Sequence, residues 1–167
     1  MPREKLTSSD VEKIKKEIEH RKLVIRKEAL ESVKETRAHG DLSENFEYKA
    51  AKQYKNQNES RIRYLERILR NAEIIEDIWD EDVVGLNSVV SVYIEEDDEE
   101  AEYKIVTAIR GNSLKGYVSI ESPLGKALIG HRVGECVEIR VNESYSYEVR
   151  IISVKKSDEK GDSIRNF

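Results

Sequence analysis

Apolar positions in the first half of the chain recur with the spacing of amphipathic helices. One stripe runs from residue 11 to residue 33, and a second continues to residue 72 after a gap at residues 38–43. Their members are Val11, Ile14, Ile18, Ile25, Ala29 and Val33, then Phe46, Ala50, Tyr54, Ile62, Leu65, Leu69 and Ala72. A short connection makes neighbouring helices antiparallel. The pattern therefore predicts an α-helical coiled-coil hairpin whose apolar contacts weaken toward the turn, at Gln53 and Gln57.

The second half contains short runs of apolar and β-branched residues separated by turn residues, a pattern typical of β-strands. Strands are predicted over residues 88–94, 101–109, 117–121, 136–141 and 145–154. The acidic run at 95–100 is predicted to be a solvated hairpin loop. Residues 122–130 predict a short helix with Pro123 in its first turn and Gly130 beyond its end. A small α+β domain follows from this pattern, with Cys136 expected in its core.

Glycine, proline and charge divide the chain near the same point. Residues 3–79 hold one glycine and no proline, whereas residues 80–167 hold seven glycines and one proline. The net charge is +2 over residues 1–79 and −7 over the remainder. A chain of 167 residues is long enough for two small domains. We therefore expect a helical hairpin at 1–79, an α+β domain at 80–155 and a loose tail at 156–167.

Several classes of protein are disfavoured by simple counts. No apolar run exceeds three residues, so no membrane span is predicted. The N-terminal residues have no apolar segment typical of a secretory signal. The single cysteine excludes an internal disulfide, and the three histidines lack metal-ligand spacing. A cytoplasmic protein is the expectation.

Unusual chemistry is concentrated in the predicted turn, Thr36-Arg37-Ala38-His39-Gly40-Asp41-Leu42-Ser43-Glu44-Asn45. Asp41 and Glu44 have the spacing of a capping box, which is a purely structural role. The same two carboxylates are close enough to share one hard cation, and Mg²⁺ is typically held by only one or two protein carboxylates. Two ligands bind it weakly, so a second molecule would have to supply the others. From the residues alone, both interpretations remain open.

Three separated motifs resemble those of one family. Residues 36–52 resemble the tip signature of the bacterial GreA/GreB transcript cleavage factors. Residues 61–72 are similar to that family's second coiled-coil helix, and residues 122–130 to its C-terminal motif. The resemblance covers roughly residues 5–155, is closest to GreA, and implies an FKBP-like α+β domain with an antiparallel sheet that docks on RNA polymerase.

The resemblance also implies a mechanism and a set of site residues. The coiled coil would enter the secondary channel of RNA polymerase, where Asp41 and Glu44 help hold the second Mg²⁺ and orient a water that attacks the backtracked transcript. Ser43 is matched as a tip residue, and Arg37, Asn45 and Tyr48 as supporting residues of a tip spanning 37–48. The protein would be an activator without hydrolytic activity or cofactor of its own, and we expect a monomer.

A basic face follows the tip along the second helix. Lys49, Lys52 and Lys55 share this face by their spacing of three residues. Such a face is usually only solvated, but it also suits phosphate contacts without sequence preference. The resemblance implies the second role, toward the nascent RNA 3′ segment. Phe46 stands where the family commonly has a small residue, and we interpret it as helix packing.

Three other functions remain as alternatives. A Gre-like regulator of the same channel would act without stimulating cleavage. A pure interaction module would use Asp41 and Glu44 only as helix caps. A stand-alone nuclease is disfavoured, because two carboxylates give too few ligands for a preformed metal pair. The sequence does not distinguish GreA-like from GreB-like cleavage.

Overall fold

The computed structural model describes residues 3–39, 45–76 and 80–166. The chain divides into two compact units. The first, Met1–Glu4 with Val11–Ala72, is helical, and the second, Lys5–Asp10 with Glu73–Phe167, is built on a sheet. The α+β fold class is confirmed. No helix among the described residues has the length and apolar character needed to cross a membrane.

The first arm of the helical unit is continuous but not uniform. It comprises α1 (Ser8–His20), a π-helical segment (Arg21–Ile25) and α2 (Arg26–Arg37), and the residues at both junctions have helical backbone angles. Ile14 and Ala29 are fully buried, and the other members of the predicted first stripe are half-buried. The first stripe is therefore confirmed, whereas the π-helical segment was not predicted.

The second arm, α3 (Phe46–Arg70), runs antiparallel to the first. Ion pairs between Lys or Arg and Glu join the arms, among them Glu17–Arg61, Lys22–Glu66 and Arg26–Glu59. Thr36 is bonded to Asn45 just before α3, whereas Glu17 pairs with Arg61 far along it, so the arms run in opposite directions as a hairpin requires. The predicted helical hairpin is confirmed.

The buried face of α3 differs from the predicted second stripe in its first half. Phe46 and Tyr54 are 79% and 47% exposed, and Ala50 is also exposed. The buried residues of the helix are Ala51, Asn58, Arg61, Ile62, Leu65 and Ile68. The prediction was wrong here because Ala51, next to the predicted Ala50, and the polar Asn58 occupy the contact, and a stripe of apolar residues does not include Asn58.

The second unit contains a five-stranded sheet in the order β5-β4-β3-β7-β6. Its strands are β3 (Ser88–Ile94), β4 (Glu99–Val106), β5 (Tyr117–Ser119), β6 (Cys136–Arg140) and β7 (Ser146–Lys156). All pairs are antiparallel except the edge strand β5, which is parallel to β4. A separate two-stranded sheet, which was not predicted, pairs β1 (Glu4–Leu6) with β2 (Ala72–Ile74).

One face of the large sheet is covered by α4 (Pro123–Leu128). The Ser122 side chain caps this helix by accepting a hydrogen bond from the Gly125 amide (3.1 Å). A Cβ at Gly125 would lie 2.0 Å from the Ser119 carbonyl oxygen, so only glycine allows this close approach. Cys136 is exposed rather than buried, because its neighbours Val137 and Ile139 occupy the inward positions of β6.

The C-terminal residues 157–166 are packed onto the sheet unit, which corrects the expectation of a loose tail. Asp162 is only 6% exposed and accepts hydrogen bonds from Lys104 (2.9 Å) and Arg110 (2.6 Å). The Arg165 amide donates to the Ile109 carbonyl (2.8 Å). Buried cations more than fifty residues away hold the segment, and a tail rich in polar residues gives no local sign of such partners.

Candidate functional site at the tip of the hairpin

Asn45 joins the two arms where the hairpin closes. As the N-cap of α3, its side-chain oxygen accepts a hydrogen bond from the Tyr48 amide (2.9 Å). Its side-chain nitrogen donates to the Thr36 carbonyl at the end of α2 (2.6 Å). One side chain thus starts the second helix and ties it to the end of the first.

The end of α2 is closed by short local bonds. The Ala38 amide donates to the Glu35 carbonyl (3.2 Å), and the Thr36 hydroxyl donates to the Ser32 carbonyl (2.8 Å). His39 Nδ1 lies 3.7 Å from Glu47 Oε2, an ion pair only while the imidazole is protonated. Arg37 is exposed and Tyr48 is half-buried. The supporting roles of Arg37, Asn45 and Tyr48 stay predictions.

The predicted ligands Asp41 and Glu44, with Ser43, lie outside the described residues. Their described neighbours along the chain are His39 and Asn45. Among the residues that are described, no group of three or more His, Cys, Asp or Glu side chains is arranged to hold a metal ion. A shared Mg²⁺ site at Asp41 and Glu44 therefore stays a prediction.

The predicted basic face is accessible at the tip end of α3. Lys49 and Lys52 are exposed, and Lys55 is half-buried. The Lys49 ammonium lies 5.6 Å from the centroid of the Phe46 ring. In the described part of the chain, none of the three lysines forms an ion pair with a carboxylate. Their charge is therefore available to an anionic partner.

Charged pairs link the two arms behind the tip. Burial alone would raise the pKa of Glu17, but hydrogen bonds from Arg61 (2.9 Å) and Arg21 (2.8 Å) outweigh it and lower that pKa. A hydrogen bond from Arg26 (2.7 Å) likewise lowers the pKa of Glu59. Both carboxylates stay ionised at neutral pH, so the hairpin keeps these links under physiological conditions.

The exposed Phe46 ring is one feature of the site that the sequence did not predict. It was assigned to packing because an aromatic residue at helical spacing usually faces a core. The preceding residue indicated otherwise. Asn45 is a strong N-cap, which makes Phe46 the first residue of the helix, at the end of the hairpin rather than within its contact.

Comparisons with known proteins cover both units of the chain. The family model "Transcription elongation factor, N-terminal" matches residues 4–74, and "Transcription elongation factor, GreA/GreB, C-term" matches residues 80–156. Transcription elongation factor GreA of Lachnoclostridium phytofermentans is 42% identical over 154 residues, 92% of this chain and 96% of the relative. GreA of Chloroherpeton thalassium is 43% identical over 153 residues, 90% of this chain and 96% of the relative.

Among solved structures, Gfh1 of Thermus aquaticus is 30% identical, with a TM-score of 0.44 over 93% of this chain and 99% of that one. Identities of about 40% over nine-tenths of the chain, together with family models that match both units, show that this protein belongs to the GreA/GreB family of transcription elongation factors.

Proposed function

We propose that this protein inserts the tip of its helical hairpin into the secondary channel of bacterial RNA polymerase and stimulates the polymerase's own cleavage of backtracked transcripts. The shared name of its relatives, transcription elongation factor, supports the polymerase as partner. In this proposal the protein is a cytoplasmic activator rather than an enzyme, and its sheet unit provides the docking surface.

The single observation that carries the proposal is the closed end of the hairpin. The Asn45–Thr36 hydrogen bond holds the start of α3 to the end of α2. The sequence between these helices contains Asp41 and Glu44, so one short connection carries both carboxylates. With its 25 residues, α3 is about 37 Å long at about 1.5 Å per residue, a length that suits insertion into a channel.

The chemistry of two carboxylates suits an assisting role. Bound Mg²⁺ in a two-metal centre stabilises the charge on the attacking and leaving oxygens of an in-line displacement. Asp41 and Glu44 would add ligands to a weakly held ion and accept a hydrogen bond from the attacking water, while the polymerase supplies the other ligands. Ser43 would lie beside them, with Arg37, Asn45 and Tyr48 supporting the turn. Lys49, Lys52 and Lys55 would meet phosphates of the RNA 3′ segment.

The test is release of short 3′ RNA fragments from a stalled, backtracked elongation complex. We expect Asp41→Asn and Glu44→Gln each to lower the cleavage rate by about 100-fold, the size typical of losing one group that stabilises charge at a reacting centre. Glu47→Gln removes a carboxylate from the same end of the hairpin and should leave the rate within about twofold of the wild type, since this exposed side chain has no ligand role in the proposal.

Polymerase binding, measured by competition with labelled wild-type protein, should be unchanged in all three variants. Full stimulation by the double variant would refute the assignment of Asp41 and Glu44. Binding of the wild-type protein without any stimulation would instead identify a regulator of the channel.

A further inference from the structure

Phe46 is the most exposed aromatic side chain among the residues that the structure describes, at 79%. Its backbone is nevertheless well fixed, because Asn45 caps the helix just before it and bonds to Thr36 on the other arm. The Lys49 amide also donates to the Asn45 carbonyl (3.1 Å). The ring therefore projects into solvent from a rigid helix start.

The surface around this ring is mostly polar, with one cation close to the ring. At 3.6 residues per turn, Gln53 and Gln57 lie within about 20° of Phe46 around the helix, and Lys49 lies about 60° to one side. All of these side chains are exposed. The Lys49 ammonium is 5.6 Å from the ring centroid, and the next lysine, Lys52, lies about 120° around the helix from Phe46, beyond Lys49.

This combination fits a nucleotide better than an apolar protein surface. A hydrophobic partner would be met by several large apolar side chains, whereas this ring has one ammonium and two amides beside it, with only the small Ala50 as an apolar neighbour. The exposed carboxylate of Glu47 lies about 100° around the helix from the ring, on the side away from the lysine. A nucleobase stacks on an aromatic ring whatever its sequence, and neighbouring lysines neutralise the phosphates that link the bases.

We propose that Phe46 and Lys49 form a stacking site for one base of single-stranded RNA, with Lys49 also contacting the adjacent phosphate. The occupant is the extruded 3′ segment of a backtracked transcript. This inference rests on the proposed function, because only insertion into the polymerase brings that segment to the tip. It adds a base contact to the phosphate contacts proposed for the lysines.

The experiment places 4-thiouridine at successive positions of the 3′ segment in backtracked elongation complexes and maps light-induced crosslinks to the protein. For the wild-type protein we expect a crosslink within residues 46–49. Phe46→Leu should reduce it at least fivefold, while Phe46→Tyr, which keeps an aromatic ring, should retain it. Tyr54→Leu is the matched control, because Tyr54 is an exposed aromatic residue elsewhere on the same helix.

Cleavage rates give a second measurement. Phe46→Leu should slow cleavage by about tenfold when the base at the site is a purine and less when it is a pyrimidine, since purines stack more strongly. A purely structural role of Phe46 would slow both equally and would overturn the inference.

Polymerase binding separates the remaining outcomes. If Phe46→Leu weakens binding to a complex that has no extruded RNA, the ring contacts protein and the inference fails. If binding is normal but no crosslink reaches residues 46–49, the inference also fails, whatever the cleavage activity. A crosslink that depends on Phe46, in a protein that does not stimulate cleavage, supports the stacking site and refutes the proposed function.

Discussion

At the scale of single residues, the amide of Asn45 performs two separable tasks. Its oxygen satisfies the Tyr48 amide, one of the donors that a helix start leaves without an intrahelical partner. Its nitrogen reaches the Thr36 carbonyl of the other arm. Aspartate has the oxygen without the donor, so substitution can remove the link between the arms and keep the cap.

We expect Asn45→Ala to lower the free energy of unfolding by about 1–2 kcal/mol, because both the cap and the bond between the arms are lost. Asn45→Asp should cost less, about 1 kcal/mol, because it loses only the bond to Thr36. Urea denaturation followed by circular dichroism measures both. Asn56→Ala, an exposed asparagine of the same helix, is the control. Equal losses in Asn45→Ala and Asn45→Asp would show that the cap contributes nothing.

Two residues show why a sequence pattern can fail by a single position. Phe46 was predicted to be buried and is exposed, because the buried face of α3 passes through Ala51 and not through its neighbour Ala50, which shared the predicted stripe with Phe46. Cys136 was predicted to be buried and is exposed, because β6 turns Val137 and Ile139 inward. A strand has a side-chain period of two, so an assignment displaced by one residue reverses the face.

At the scale of elements, the π-helical segment Arg21–Ile25 is held from the opposite arm. Asn58, only 3% exposed, donates a hydrogen bond to the Arg21 carbonyl (3.2 Å) and accepts one from the Arg21 guanidinium (3.1 Å). Wide turns of this kind leave carbonyl groups without their usual i+4 partner. The Arg21 carbonyl also accepts a hydrogen bond from the Arg26 amide, so Asn58 adds a second bond at this carbonyl and links it to the opposite arm.

Removing this amide should destabilise the hairpin. We expect Asn58→Ala to lower the free energy of unfolding by about 1–3 kcal/mol, because two hydrogen bonds between the arms are lost. Amide hydrogen exchange of residues 21–26 should accelerate, while exchange in the strands of the sheet unit stays unchanged. Asn56→Ala again serves as the control. Unchanged exchange at residues 21–26 would contradict the role assigned to Asn58.

Most regular elements could be predicted from the sequence, whereas the irregular ones and the two-stranded sheet of β1 and β2 could not. The first helical stripe, all five strands of the large sheet and the short helix after Ser122 follow from periodicity and turn residues. The π-helical segment depends on a partner 37 residues away, which no local pattern contains. At the candidate site, the accessible lysines were predicted, whereas the Asn45–Thr36 bond is visible only once the arms are paired.

At the scale of the sheet unit, a buried cluster centres on Arg110, which is 1% exposed. Three carboxylates from distant parts of the chain surround its guanidinium: Asp10 (2.7 Å), Glu159 (2.6 Å) and Asp162 (2.6 Å). Asp162 also pairs with Lys104. The cluster therefore ties residues 5–10 and 157–166 to the sheet, although the family match ends at residue 156.

The cluster should make stability depend on pH. Burial alone would raise the pKa of Asp162, but hydrogen bonds from Lys104 and Arg110 outweigh it, so that pKa lies below its ordinary value. The unfolded chain then binds more protons in mild acid than the folded protein does. The stabilisation is complete above about pH 4 and is lost as the pH falls through the lower, folded-state pKa.

Asp162→Asn should therefore lower the free energy of unfolding by about 3 kcal/mol at pH 7, because the buried cations Lys104 and Arg110 lose a negatively charged partner. The loss should become progressively smaller below about pH 4. Urea denaturation at several pH values measures the difference. Asp158→Asn, an exposed carboxylate in the same segment, should leave the pH profile unchanged. A constant difference between wild type and Asp162→Asn across this range would exclude Asp162 as the titrating group.

The same cluster predicts the effect of shortening the chain. A protein ending at residue 156 keeps the whole family match but loses Glu159 and Asp162. Of its three carboxylate partners, Arg110 then retains only Asp10, and Lys104 loses its carboxylate partner in the cluster. We expect it to lose about 3 kcal/mol or more of unfolding free energy, because breaking a buried ion pair leaves a charge uncompensated. A protein ending at residue 163 keeps both carboxylates and loses the Arg165–Ile109 hydrogen bond, at a cost of about 1 kcal/mol. Urea denaturation of the two proteins, compared with the full chain, decides the matter, and equal stability of the two would show that residues 157–163 do not hold the sheet unit together.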